Sequence, residues 1–278
     1  MRVAYLGPPG TVSEEALVAA APDAEGVSFS SLREVVLSVQ ERRIERALAP
    51  VENALEGGVD PVLDCLALEA RDVALIGEVV QPVSYCLAAS SEFALGDITM
   101  VFSHPQALGQ CTRWIASHLP NATAIPAAST ADAVRQAATD TSGTVAGIGT
   151  RLAAQRYGAV MLGEGLEDDP GNATRFAWLS RVEDAPPSPA GVPAKTALVF
   201  WGKGSSSAGW LVSCLAVFAF AGVNLTRIES RPLRRGMGEY MFFLDLEGSM
   251  AHSSVAGAVA DLHKHAEVVR VLGSFGTG

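Results

Sequence analysis

Chemistry in this chain concentrates where apolar runs give way to polar residues. The densest such point is Asp168-Asp169-Pro170-Gly171-Asn172-Ala173-Thr174-Arg175-Phe176. Pro-Gly is strong turn punctuation, and Ala177-Trp178-Leu179-Ser180 beyond it reads as a buried strand. The spacing predicts a polar loop that delivers Asn172, Thr174 and Arg175 to the start of that strand. An amide, a hydroxyl and a guanidinium held together can bind a small anion or assist a leaving group. A plain turn closed by an Asx bond, with a surface arginine, fits the same residues. Asn172-Ala173-Thr174 also matches the glycosylation pattern, which matters only in a secreted chain.

The elements that must position these groups alternate strand and helix through residues 1–182. Val3 to Leu6 is a short apolar strand, Gly7-Pro8-Pro9-Gly10 a turn, and Thr11-x-x-Glu14 reads as a capping box opening a helix over Ser13 to Ala21. Strand, glycine-rich loop and helix N-terminus together make a natural anion site, and plain helix capping explains them too. Arg46 to Val51 is a second strand, running into Glu52, Asn53, Glu56 and paired glycines, with Asp60-Pro61 as cap and first residue of a helix to Leu68. Strands follow at Val73 to Val80, Val83 to Ala89 and Thr99 to Phe102. The last leads into Ser103-His104-Pro105-Gln106, where Ser103 and Gln106 form a capping box and His104 sits beside it. Further on, Ser129-Thr130 caps a helix over Ala131 to Ala138, and Val145 to Ile148 is a strand before a helix over Leu152 to Tyr157. This alternation predicts an α/β domain with largely parallel sheets.

Glu183 to Ala194 carries Pro186, Pro187, Pro189 and Pro193 and reads as a semi-rigid linker. Beyond it, strands at Thr196–Trp201, Leu225–Ser230, Tyr240–Leu246 and Val268–Leu272 alternate with helices at Trp210–Ala221 and Ser254–His265. That βαββαβ order is the ferredoxin-like pattern.

Composition narrows the classes. The chain has 278 residues, 49% hydrophobic and 18% charged, with a net charge of −10, which is globular and disfavours a nucleic-acid partner. An anionic substrate gains nothing from that overall field and needs local donors. No signal peptide is read at the first residues. The longest apolar run, Trp210 to Val223, spans about 14 residues against the ~20 a bilayer needs, so no membrane segment is expected. Cys65, Cys86, Cys111 and Cys214 form no Cys-x-x-Cys pair and read as reduced core thiols of a cytoplasmic protein. No His/Cys cluster has metal-ligand spacing, and Gly202-Lys203-Gly204-Ser205 lacks the spacing of a nucleotide loop.

An ordered set of motifs over nearly the whole chain resembles the prephenate dehydratase family. The set comprises Tyr5-Leu6-Gly7-Pro8-x-Gly10-Thr11, Pro50-x-Glu52-Asn53-x-x-Glu56-Gly57, Ser103-His104-Pro105-Gln106-Ala107-Leu108-x-Gln110, Ser129-Thr130-Ala131-x-Ala133, Asn172-x-Thr174-Arg175-Phe176 and Glu229-Ser230-Arg231-Pro232. The resemblance implies a two-lobed α/β catalytic part with a periplasmic-binding-protein-like cleft, over residues 1–182. One lobe would be about 1–78 with 164–182, the other 79–163. Residues 183–194 would be the linker and 195–278 an ACT regulatory domain. It further implies a cytoplasmic homodimer or homotetramer that needs no cofactor and is inhibited by L-phenylalanine.

The implied reaction turns prephenate, a dianion with a ring hydroxyl, into phenylpyruvate, water and CO2. Aromatisation supplies the drive, so no electron sink is required. By the resemblance Thr174 donates to the leaving hydroxyl, with Glu52 a second candidate if burial keeps it protonated. Asn53, Thr11, Ser103, Gln106, Thr130, Thr150, Asn172 and Arg175 are candidate substrate donors, Arg175 alternatively a brace for its loop. Gly209, Trp210, Leu211, Glu229, Ser230, Arg231 and Pro232 would surround the effector with the loop Ser205–Gly209. The chain departs from the family at Ala54, at Gly149-Thr150 and at Trp210, where the family has a small side chain. Trp210 could fill the effector pocket, line it, or pack into an oligomer interface. Arogenate in place of prephenate, and a non-catalytic intracellular amino-acid sensor, are the competing readings.

Overall fold

The computed structural model describes residues 1–202, 204 and 206–277. Lys203, Ser205 and Gly278, and with them parts of the expected effector loop, of the rejected nucleotide loop and of the end of the expected ACT domain, lie outside the described residues. The chain begins β1 (Arg2–Leu6), α1 (Val12–Ala20), β2 (Glu25–Phe29), α2 (Leu32–Gln40), β3 (Arg46–Asn53), β4 (Gly57–Gly58), α3 (Asp60–Leu68), β5 (Val73–Pro82). It continues β6 (Cys86–Ala89), β7 (Met100–Ser103), α4 (Pro105–Gln110), α5 (Thr112–His118), β8 (Thr123–Pro126), α6 (Thr130–Ala138), β9 (Val145–Gly149), α7 (Arg151–Tyr157), β10 (Val160–Glu164) and β11 (Ala173–Arg181). The C-terminal elements are β12 (Ala194–Trp201), α8 (Trp210–Phe220), β13 (Leu225–Pro232), β14 (Tyr240–Glu247), α9 (Ser253–Leu262) and β15 (Val268–Gly276).

Three sheets result. The first runs β2-β1-β3-β11-β5 with β4 on β3, the second β10-β6-β9-β7-β8, and the third β13-β14-β12-β15. The third is antiparallel where its pairings are described, and its strand order with βαββαβ connectivity is the ferredoxin-like arrangement expected. The second sheet corrects the expectation of largely parallel sheets. Its β7–β8 and β7–β9 pairs are parallel, but β6 runs antiparallel to both β9 and β10. The apolar run of β6 is compatible with either direction, and its sense is set by the strands β9 and β10 that flank it in the sheet. Strand β2 and helix α2 were not among the expected elements, although Leu32, Val35, Val36 and Val39 of α2 recur at helical spacing and the three valines are buried.

The chain divides into two compact units, Met1–Val35 with Leu48–Gly57 and Val79–Phe176, and Val36–Ala47 with Gly58–Glu78 and Ala177–Gly278. In the first, Leu87, Val101, Ala146 and Ile148 form a core with Ile98, Cys111 and Leu119. Every residue of β9 is buried. Its glycines permit a close helix: a Cβ on Gly147 would lie 2.5 Å from the Ala133 carbonyl oxygen, and one on Gly149 2.8 Å from that of Thr130. This is how a Gly-rich strand seats α6 and fixes Thr130 at the sheet end. In the second unit, Leu198, Phe200, Cys214, Phe218, Leu244 and Leu262 form the core of the C-terminal layer.

The starts of three helices differ from expectation. Thr11 does cap α1, but its hydroxyl donates to the Leu6 carbonyl at 2.9 Å, while Glu14 takes the Gly10 N–H at 2.6 Å. Val59, not Asp60, is the cap of α3. His104, not Ser103, caps α4, its Nδ1 accepting from the Gln106 N–H at 3.3 Å. Backbone carbonyls of Leu6 and Ile148 claim the hydroxyls of Thr11 and Ser103, and the Asp60 carboxylate pairs with Arg231. Ser129 caps α6 as expected, accepting from the Asp132 N–H at 3.0 Å.

Candidate functional site

Loop and strand ends of the first unit bring two groups of polar residues together. The first lines a cavity of about 870 Å3, whose wall includes Thr11, Tyr85, His104, Gln106, Ser129 and Thr130. The N-termini of α1 and α6 open here, so backbone N–H groups supplement the side chains. Thr11 has already given its proton to Leu6. Ser103 is fully buried and donates to the Ile148 carbonyl at 2.7 Å. Thr150 is likewise buried, donating to Gly10 O at 2.7 Å and accepting from the Ala153 N–H at 2.9 Å. The hydroxyl protons of Ser103 and Thr150 therefore tie loops together rather than reach for a ligand.

The second group surrounds Thr174, the second residue of β11. Asn53, at the end of β3, has its Oδ1 held by the backbone N–H groups of Leu55 and Glu56 at 3.0 and 3.2 Å. Its orientation is thereby set, and Nδ2 faces Asn172 Oδ1 at 3.0 Å, Thr174 Oγ1 at 3.1 Å and Ala173 O at 3.3 Å. Asn172 Nδ2 donates to Gln110 Oε1 at 3.0 Å, and the Tyr85 phenol donates to the same oxygen at 3.2 Å. Tyr85 so connects the Thr174 cluster to the cavity wall. Neither Tyr85 nor Gln110 was among the predicted site residues. A lone tyrosine in an apolar run carries no pattern, whereas Gln110 closes the motif that begins at Ser103.

Arg175 Nε pairs with Glu52 Oε2 at 2.8 Å, with the arginine side chain 11% exposed and the glutamate 37%. Glu52 is thus a salt-bridged carboxylate rather than one sealed in an apolar pocket, and Arg175 ties β11 to the end of β3. Phe176 is core, 1% exposed. Burial pushes the Tyr85 phenol well above its usual range, with the neighbouring Cys111 and acidic groups adding to the shift. A second cavity, about 450 Å3, is lined by Glu15, Tyr85, Arg151 and Glu164 among others.

In the C-terminal layer the residues expected around an effector are held as follows. Gly209 caps α8 with φ 80°. Trp210 turns inward: its indole N–H donates to the His265 carbonyl at 2.8 Å, and the ring lies 5.9 Å from Phe200 and 6.0 Å from Phe242. Leu211 packs partly buried on the same core. Along β13 the side chains alternate, so Glu229 and Arg231 share the half-buried face while Ser230 and Pro232 are exposed. Glu229 pairs with Arg227. Arg231 bonds Asp64 at 3.0 and 3.2 Å and pairs with Asp60, and Arg234 reaches Asp64 at 2.5 Å.

Residues 3–184 match the family described as prephenate dehydratase. The chain is 38% identical over 285 residues to the prephenate dehydratase of Mycobacteroides abscessus, covering 100% of this chain and 90% of that one. The crystal structure of prephenate dehydratase from Arthrobacter aurescens in complex with L-Phe has a TM-score of 0.90 at 35% identity, covering 100% of this chain and 90% of that chain. GqqA, described as a novel type of quorum-quenching acylase, has a TM-score of 0.87 at 29% identity, covering 100% and 98%.

Proposed function

This chain belongs to the prephenate dehydratase family, and we infer that it converts prephenate to phenylpyruvate, water and CO2 in phenylalanine synthesis, with no cofactor. The observation that carries the mechanism is the bond from Asn53 Nδ2 to Thr174 Oγ1 at 3.1 Å. An amide nitrogen only donates, so Thr174 is the acceptor there and its own proton is left for another oxygen. The ring hydroxyl of prephenate supplies one. As the ring carboxylate leaves as CO2, the C–C bonding pair enters the ring, the C–O bond breaks, and the departing hydroxide takes up a proton, ultimately from solvent, to leave as water. The hydrogen bond from Thr174 strengthens as charge develops on the departing oxygen, which favours the transition state over the bound substrate. Gln106, Thr130 and the N-termini of α1 and α6 are donors for the two carboxylates. Arg175 acts as a brace by holding Glu52.

In this reading residues 1–182 are the catalytic part, 183–194 the linker and 195–278 an ACT domain, the enzyme works in the cytoplasm as a homodimer or homotetramer, and L-phenylalanine is the effector. Support for the effector comes from the Arthrobacter enzyme, which was crystallised in complex with L-Phe. The inward packing of Trp210 leaves Gly209 and the exposed face of β13, with Ser230 and Pro232, as the candidate contacts. An acylase reading, raised by the likeness to GqqA, would call for an activated nucleophile. The adjacent Ser103 and His104 do not form one, since Ser103 donates to Ile148 O and His104 Nδ1 takes a backbone proton.

Incubating purified protein with prephenate and reading phenylpyruvate tests the assignment. Turnover with prephenate is expected. Turnover of arogenate alone would transfer the activity to the amino acid form. Inertness toward both, with L-phenylalanine still bound by calorimetry, would make the chain a sensor.

A further inference from the structure

We propose that the Tyr85 phenol is a positioning group for Thr174, acting through the side-chain amides of Gln110, Asn172 and Asn53. The proposal rests on the reading of Thr174 as the donor to the leaving hydroxyl. Tyr85 is well fixed: it is 6% exposed, its N–H donates to Glu167 Oε2 at 3.0 Å, and its carbonyl accepts from the Leu166 N–H at 3.3 Å. Its hydroxyl meets Gln110 Oε1, where Asn172 Nδ2 also arrives. That oxygen is the one anchored point of the Gln110 side chain, because among the described residues Gln110 Nε2 has no hydrogen-bond partner although it is buried.

The other end of the relay cannot adapt. Asn53 Oδ1 is held by two backbone N–H groups, so its amide does not flip, and the two protons on Nδ2 are shared among three oxygens. How much of that donation reaches Thr174 depends on where Asn172 Oδ1 sits. Asn172 is placed by Gln110, and Gln110 is held by Tyr85. Loss of the phenol leaves Gln110 held only by Asn172, and the tension that sets the Asn53–Thr174 bond is lost. Burial keeps the phenol protonated, so it serves as a donor throughout the working pH range. Tyr85 thus has one face on the cavity and one on the relay, and the proposal assigns its function to the relay.

A double-mutant cycle tests this by steady-state kinetics on the full chain with prephenate. Tyr85→Phe removes one hydroxyl and is expected to melt within a few degrees of wild type while lowering kcat about tenfold with KM changed less than about twofold. In a Thr174→Ala background the same change should cost less than about twofold, because the group through which Tyr85 acts is gone. A tenfold loss repeated in both backgrounds, or no loss in either, overturns the proposal. A rise in KM at unchanged kcat also overturns it, since the phenol would then be contacting substrate. Side-chain amide exchange in 15N-labelled protein gives a readout apart from turnover: faster exchange at Gln110 and Asn172 in Tyr85→Phe is expected, and unchanged exchange counts against the relay. Full turnover by Thr174→Ala alone would instead remove the donor reading itself, so the two failures are distinguishable.

Discussion

At the scale of single residues, Thr174 owes its proposed role to a donor that cannot be mistaken for an acceptor. Thr174→Ala should fold normally and lose roughly a hundred- to ten-thousand-fold in kcat, the range for proton-transfer assistance. A folded variant with unchanged turnover would refute the assignment. The thiols make a contrasting case. Cys65, Cys86, Cys111 and Cys214 are buried, and burial pushes Cys86 and Cys111 up to about 12 and Cys214 to about 11. Thiolate is the reactive form, so native protein at pH 8 should resist alkylation at Cys86, Cys111 and Cys214, and denatured protein should react at all four; mass spectrometry of the labelled chain reads both. Glu15 carries a pH signature. Burial raises its carboxyl above the ordinary 4.5, against the smaller opposing effects of the Leu152 N–H and Arg151. A carboxyl that holds its proton more tightly when folded destabilises the fold as pH rises from about 4.5 through its raised value. Glu15→Gln keeps an acceptor for Leu152 and should therefore melt higher than wild type at pH 7, with the gap shrinking toward pH 4.

At the scale of elements, β13 and α3 are joined by charge. Asp64, with a side chain only 9% exposed, receives Arg231 and Arg234, and Arg231 also pairs with Asp60. The close approach is permitted by Gly58, where a Cβ would run into the Glu229 carboxylate. Asp64→Asn leaves two guanidinium groups without their shared carboxylate. It should cost about 2 kcal/mol, within the range for hydrogen bonds to charged groups, and the drop in denaturation midpoint measures it. A difference from wild type that shrinks as salt is added would instead indicate a screened surface contact.

At the scale of the whole molecule, apolar surface in the C-terminal layer is what one chain leaves uncovered. Only Cys214 and Phe218 of α8 are buried, while Val212 is 71% exposed and Phe220 91%. The helix is apolar on all sides because the sequence Trp210 to Phe220 has no polar face except Ser213. Ile228 on β13 and Met237 add to the exposed set. Light scattering at micromolar concentration should give a dimer or tetramer, and Phe220→Glu should reduce its mass. A wild-type monomer would contradict the oligomer. Among the described residues no helix is long and apolar enough to cross a membrane.

Local chemistry determined much of this protein without its fold. The βαββαβ order followed from period and punctuation, because each element there is bounded by glycine, proline or a polar turn. The motif around Asn172, Thr174 and Arg175 was legible because the residue types that can bind an anion were adjacent in the chain. Tertiary structure decided the rest, since it brings together residues that sequence separates. Asn53 reaches Asn172 across 119 positions and Tyr85 reaches Gln110 across 25, and no local period encodes either meeting. Ser103 read as a helix cap, and both Ser103 and Thr150 as ligand donors, until the fold brought the carbonyls of Ile148 and Gly10 within reach of their protons. The antiparallel sense of β6 was likewise settled by its neighbours, because an apolar run pairs equally well in both directions until another strand lies beside it.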